Sequence, residues 1–260
     1  MKDISLKELL EAGCHFGHRV DRWHPKAARF IYQARDKVHI IDLAKTRDFL
    51  LKAAETINTY AKEGKTILFI GTKRQAKGVV REAAKRAGIP FMTNRWIGGF
   101  MTNWPEVKKN IDKLNNARKA KEKGDWKQFP KHEIVKLEKA LRQWELVYEG
   151  VADLKAVPDA VYIIDIRKED NCLREAVKSG IKVIAIVDTN TDPDDIDYPI
   201  PANDDAVGSI QLVTDFLADA YLEGVNLRQK EVKPEETEVK KTPEVKAKPK
   251  KVHQVKKSST

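Results

Sequence analysis

The stretch Thr66–Asn103, TILFIGTKRQAKGVVREAAKRAGIPFMTNRWIGGFMTN, limits the possible folds of this chain more than any other. Thr66 to Ile70 is a β-branched and aromatic run ended by Gly71, the pattern of a strand buried on both faces of a parallel sheet. The period then changes. Ala76, Val79, Val80, Ala83, Ala84 and Ala87 recur at helical spacing, and Gly88 with Pro90 supplies a left-handed cap and a breaker. A second strand and a glycine loop follow, so the unit is βαβ. Its loop ends place Lys73, Arg74, Arg95 and Trp96 at the carboxyl edge of the sheet, where open α/β folds hold their ligands. On the helix, Arg74, Lys77, Arg81, Lys85 and Arg86 are offset locally only by Glu82, which points to an anionic partner.

Composition bounds the rest. A chain of 260 residues with 41% hydrophobic content can bury one large core or two small ones. Lys plus Arg is 49 against 39 Asp plus Glu, a net charge of +10, which favours nucleic acid or an anionic surface as partner. Cys14 and Cys172 are too few for a disulfide framework and fit a reducing cytoplasm. No run reaches membrane-spanning length, and Asp3, Glu8 and Glu11 break up any secretory or transit pattern at the start.

In chain order, Ser5 and Glu8 stand in capping-box spacing ahead of a short helix that stops at Gly13. Next comes a basic stretch, CHFGHRVDRWHPKAARFIYQARDKVHIID, expected to be a loop. It sets Arg19, Arg22, Lys26, Arg29, Arg35 and Lys37 among Phe16, Trp23, His24 and Tyr32, a mixture suited to phosphate contact and base stacking. A solvated loop with core aromatics fits that composition equally well. Asp42 is placed to cap a helix with an apolar stripe from Leu43 to Tyr60, ending at Gly64.

Residues 104–150 change character. Val107, Ile111 and Leu114 form one apolar seam, and Ile134, Leu137, Leu141, Trp144 and Tyr148 form another beyond a polar break, predicting an antiparallel coiled-coil hairpin that projects from the sheet. Lys108, Lys109, Lys113, Arg118, Lys119 and Lys121 would face outward from it. The α/β pattern resumes with strands at Ala160–Asp165 and Lys182–Val187 around a helix ending at Gly180, an edge strand near Tyr198–Ile200, and a last helix capped by Asp204 or Asp205. The expected division is a discontinuous α/β core of 1–103 and 151–230, a hairpin insertion of 104–150, and a disordered tail of 231–260. The tail has nine Lys against five Glu and no aromatic residue, Leu or Ile to bury.

Catalytic motifs are scarce. The chain has no G-x-x-x-x-G-K-[ST], no dinucleotide fingerprint and no G-x-S-x-G elbow. Cys14, His15 and His18 have a metal look but lack a fourth ligand at a recognised spacing, so no metal site is assigned. Asp188, Asp192, Asp194, Asp195, Asp204 and Asp205 could gather at the sheet's carboxyl edge to hold magnesium, and a magnesium- or phosphate-dependent enzyme is the rival reading. Turn and capping roles account for most of these aspartates.

The succession LLEAGCHFGHRVDRWHPK, VHIIDLAKT, FIGTKRQAK, NRWIGGFMTNW, PDAVYIID and DTNTDPDDIDYPIPANDDA resembles the family of small-ribosomal-subunit protein S two, bacterial type, from Ser5 to about Leu227. The resemblance implies a flavodoxin-like parallel sheet with helices on both faces and an inserted helical hairpin. It implies a cytoplasmic structural protein of the small ribosomal subunit, not an enzyme, with no cofactor. The implied partners are small-subunit rRNA and neighbouring ribosomal proteins, among them the mRNA-capturing protein S one. By motif match, Arg19, Arg22, His24, Lys26, Lys73, Arg74, Arg95 and Trp96 are the rRNA-facing candidates, with Lys108 and Lys109 at the hairpin base.

Overall fold

The structure, a computed structural model, describes residues 3–238, with side chains described to residue 230. Its centre is a five-stranded parallel sheet made of β4 (Ile67–Ile70), β5 (Phe91–Met92), β6 (Ala160–Ile163), β7 (Lys182–Val187) and β8 (Tyr198–Pro201), in the order β5-β4-β6-β7-β8. Numbered within the sheet, that order is the flavodoxin-like 2-1-3-4-5, and the chain reverses direction between β4 and β6. Period-two alternation divides the sheet's side chains between two cores. Ile67, Phe69, Tyr162, Ile184 and Ile200 face α2 (Leu43–Glu63), α3 (Ala76–Ala87) and α7 (Val207–Glu238). Leu68, Ile70, Val161, Ile163, Val183 and Ala185 face α4 (Trp104–Lys123), α5 (Lys131–Tyr148) and α6 (Asp170–Lys178). Both faces are dry, which is why each strand reads as a continuous apolar run. Pro199 and Pro201 are tolerated because β8 is an edge strand.

Caps set the helix limits. Ser5 accepts the Glu8 N–H at 3.2 Å and the Glu8 carboxylate accepts the Ser5 N–H at 2.8 Å, a reciprocal box that starts α1 (Leu6–Glu11). The Asp42 carboxylate accepts the Ala44 N–H at the start of α2, and α2 and α3 end at Gly64 and Gly88 in the left-handed region. Helices α4 and α5 run antiparallel, as the Arg118–Glu145 and Lys121–Glu138 pairs require. Val107, Ile111, Leu114 and Leu141 are buried between them, in the same apolar cluster as the sheet face below. The Asn115 side-chain amide donates to the Ala152 carbonyl, tying α4 to the segment that returns to the sheet.

Three expectations need correction. The basic stretch is a second sheet, three-stranded and antiparallel, of β1 (Phe16–Arg19), β2 (Ile31–Arg35) and β3 (Val38–Ile41) in the order β1-β3-β2. It was hidden because its tight turn uses Asp36 and Lys37 at φ 51° and 64° where glycine or asparagine ordinarily marks such a turn. Neither aspartate caps the last helix: the Asp204 and Asp205 carboxylates go to Lys73 and His18, and in the turn just before the helix the Asn203 Oδ1 accepts the N–H groups of Asp205 and Ala206. Helix α7 continues through 231–238, so the helix runs past the expected start of the tail; residues 239–260 lie outside the described residues.

Candidate nucleic-acid interface

At the carboxyl edge, the loop after β4 turns Lys73 inward. Its Nζ lies 2.6 Å from Asp205, 2.9 Å from Asp204 and 3.3 Å from Asp165, and its side chain is only 14% exposed. Burial works against the ammonium, but hydrogen bonds to Asp205 and Asp204 outweigh it and raise the lysine's pKa. Burial together with Asp188 and Asp165 pushes the Asp204 carboxyl up to about 7, against the pull of Lys73. His18 closes the group, with Nδ1 3.0 Å from Asp188 and Nε2 3.4 Å from Asp205; the Asp188 hydrogen bond raises its pKa against burial. Lys73 is therefore an internal counter-ion and not a free rRNA-facing cation.

The second sheet is bolted to this edge. The Thr189 hydroxyl accepts the His18 N–H at 2.8 Å, and the Thr189 carbonyl accepts the His24 N–H at 2.8 Å. Gly17 permits the approach, since a Cβ there would lie 2.7 Å from the Thr189 methyl. Lys26 bridges Asp192 at 2.7 Å and Asp194 at 2.6 Å; these hydrogen bonds raise its pKa. His24 stands 4.0 Å from Asp192, and Arg19 pairs with Asp21 at 3.3 Å. Arg22 is exposed and has no ion pair among the described residues.

On the other side of the edge, Arg74 and Arg95 are exposed and likewise without an ion pair among the described residues. Gly71 N–H bonds to the Met92 carbonyl at 3.0 Å, so the two segments that carry these arginines leave the sheet side by side. Trp96 is a correction: it is 8% exposed, donates from Nε1 to Glu175 at 3.1 Å and packs its ring on Phe100, so no base can stack on it. Glu175, on α6, also accepts the N–H groups of Gly99 at 2.8 Å and Met101 at 3.1 Å. Sequence reading missed this residue, which looks like any other helix glutamate until the fold places the glycine loop over it.

Much of the expected basic surface is offset by carboxylates, some remote in sequence and some on the same helix. Glu149 receives Lys85 at 2.8 Å and Arg81 at 3.8 Å, and Arg86 reaches Asp215 and Asp219. Lys108 pairs with Asp112 and Lys109 with Glu106, one helical turn away on α4. The sequence neighbours Cys14, His15 and His18 do not converge. Cys14 is buried in the core, and His15 lies against Phe16. Among the described residues, the group that could present ligand atoms to a metal ion is His18, Asp188 and Asp204, whose donors lie within 4.8 Å of one another. The Lys73 ammonium already lies beside Asp204.

The fold and this edge define a doubly wound α/β protein whose sheet edge holds one lysine among its own carboxylates and, beside it, exposed arginines without an ion pair among the described residues. Residues 9–224 match the model of the family described as Ribosomal protein S2. The chain belongs to that family, which is ribosomal and not enzymatic. It is 47% identical over 229 residues to the small ribosomal subunit protein uS2 of Coprothermobacter proteolyticus, covering 88% of this chain and 85% of that one. It is 46% identical over 231 residues to the uS2 proteins of Dictyoglomus thermophilum and Dictyoglomus turgidum, covering 89% of this chain and 94% of theirs.

Proposed function

We propose that this protein is a structural constituent of the bacterial small ribosomal subunit, that it binds small-subunit rRNA through its basic rim, and that it helps dock the mRNA-capturing ribosomal protein S one. Its place of action is the cytoplasm. One observation carries the rRNA reading: Arg22, Arg74 and Arg95 remain exposed and unpaired among the described residues, while the edge aspartates Asp204 and Asp205 are paired with Lys73, Asp192 and Asp194 with Lys26, and Asp188 with His18. Arginines of that kind neutralise backbone phosphates without reading sequence. Lys108 and Lys109 are held by carboxylates on their own helix and are secondary contacts. Among the described residues, no helix is long and apolar enough to cross a membrane.

Fractionation of a lysate on a gradient should place the protein with small subunits. Replacing Arg22, Arg74 and Arg95 by Ala should flatten the salt dependence of rRNA binding by about 0.9 in log–log slope for each phosphate no longer neutralised. The matched replacement of the internally paired Arg19, Lys26 and Lys109 should change it much less. Equal effects from the two sets, or an absence of the protein from small subunits, would refute the reading. Loss of protein S one from subunits that lack this chain tests the docking role.

A further inference from the structure

Gly98, in the loop between β5 and α4, is a glycine for which the fold gives no internal reason. Its φ lies outside the left-handed region, a Cβ there would meet nothing within 4 Å, and the residue is exposed. Among the described residues its N–H has no hydrogen-bond partner, whereas the next residue, Gly99, needs φ +83° and donates to Glu175. A bare, unpaired, outward-facing amide costs chain entropy and gains nothing in the free protein. It gains when another molecule's backbone comes closer than a side chain would allow. Arg95 is three residues away and exposed, and Arg74 leaves the sheet beside it, so the approaching group is anionic.

We infer that residues 94–103 are a preformed loop for close approach of an RNA sugar-phosphate backbone, with Gly98 at the point of contact and Glu175 as the positioning residue that holds the loop's shape. The inference rests on the rRNA-binding reading above. Glu175 binds three donors of one loop, the Trp96 indole and the Gly99 and Met101 amides, through both carboxylate oxygens. It fixes the loop's inner side while leaving Gly98 and Arg95 outside. A carboxylate accepts at both oxygens, but a glutamine at the same place presents one NH₂ that opposes an N–H.

The test uses the full chain and small-subunit rRNA. Gly98→Val should leave the melting temperature unchanged or slightly higher and weaken rRNA binding about tenfold or more, because it adds bulk only where the partner approaches. Glu175→Ala should speed amide exchange at Gly99 and Met101, weaken binding and reduce the salt slope as Arg95→Ala does. Glu175→Gln should fall between, an ordering that a general loss of stability does not produce. Wild-type binding with Gly98→Val unchanged in affinity overturns the loop's role and leaves the rRNA reading standing. Failure of the wild type to bind rRNA with steep salt dependence removes both.

Discussion

Lys73 and Arg74 are neighbours in the chain and opposite in fate. Lys73 turns into a nest of carboxylates supplied by the loops after β6 and β8, while Arg74 faces outward with no ion pair among the described residues. The same division runs along the whole carboxyl edge. At the β7 and β8 end, Lys26 and Lys73 are matched by carboxylates, although Arg22 on the docked sheet has no ion pair among the described residues; at the β4 and β5 end, both Arg74 and Arg95 stand free. A surplus of positive charge therefore does not locate a binding surface. Which part of that charge stays unmatched is set by tertiary structure, and the carboxylates that hold Lys73 and Lys26 lie too far away in sequence to be seen beside their cations.

The sharpest way to break this comparison is to remove each charge in turn. Lys73→Met leaves three carboxylates around a buried gap and should cost about 3–5 kcal/mol of stability, read as a fall in Tm of about 10 °C. Arg74→Met should cost less than about 0.5 kcal/mol. Similar losses from both would mean that Lys73 is not an internal counter-ion. A smaller but more local effect is expected in the α4 and α5 pair. Leu141→Ala, at a buried seam position, should cost about 2–4 kcal/mol. If residues 104–150 are an autonomous insertion, amide exchange should quicken there while β4 and β7 stay protected. Exchange rising throughout the sheet would instead make the two helices part of the α/β core.

Acidity sharpens the comparison further. With the Asp204 carboxyl pushed up to about 7, the folded state keeps a proton that the unfolded chain loses from about pH 4 upward, so stability falls as pH rises through that window. His18 acts in the same sense: its folded pKa is raised by Asp188, so its contribution is complete below about pH 6.5 and is lost as pH climbs through the folded value. Glu149, held below its ordinary value by the hydrogen bond from Lys85, contributes above its unfolded pKa and is lost in acid. Urea unfolding should therefore show maximal stability at mildly acid pH, and Asp204→Asn should flatten the decline toward neutrality. An unchanged slope would mean that Asp204 does not hold its proton. The smallest effect concerns the turn before α7: Asn203→Ala removes the acceptor of two backbone N–H groups and should cost about 1 kcal/mol, whereas a larger loss from Asp205→Ala would restore the aspartate as the capping residue.

The parallel sheet and its helices were legible because they depend on local signals. The run at Ile67–Ile70, the stops at Gly64 and Gly88, the Ser5 box and the prolines of β8 each speak within a few residues. The second sheet was not legible, because Asp36 and Lys37 adopt positive φ without the residues that announce it. The site was legible only in part. Arg74 and Arg95 stand exposed at the carboxyl edge where the sequence put them, but Lys73 and Trp96 were assigned to the surface because their partners, Asp204 and Glu175, come from remote strands and helices. Which side of a loop faces the core is decided by the topology, and no local pattern encodes it.

Lys73 and its partner Asp204 are separated by 131 positions. During synthesis, the strand that bears Lys73 is made long before Asp165, Asp204 and Asp205 leave the ribosome. The pairing of β4 with β6 itself closes a span of 93 residues, from Thr66 to Asp159. Through that interval Lys73 is a free cation beside Arg74, and the growing chain carries more unmatched positive charge at this edge than the finished protein does. The completed C-terminal third removes that charge. The order of translation thus leaves the nascent chain with a cation at this edge that its product holds paired, and the difference disappears when the loop after β8 arrives.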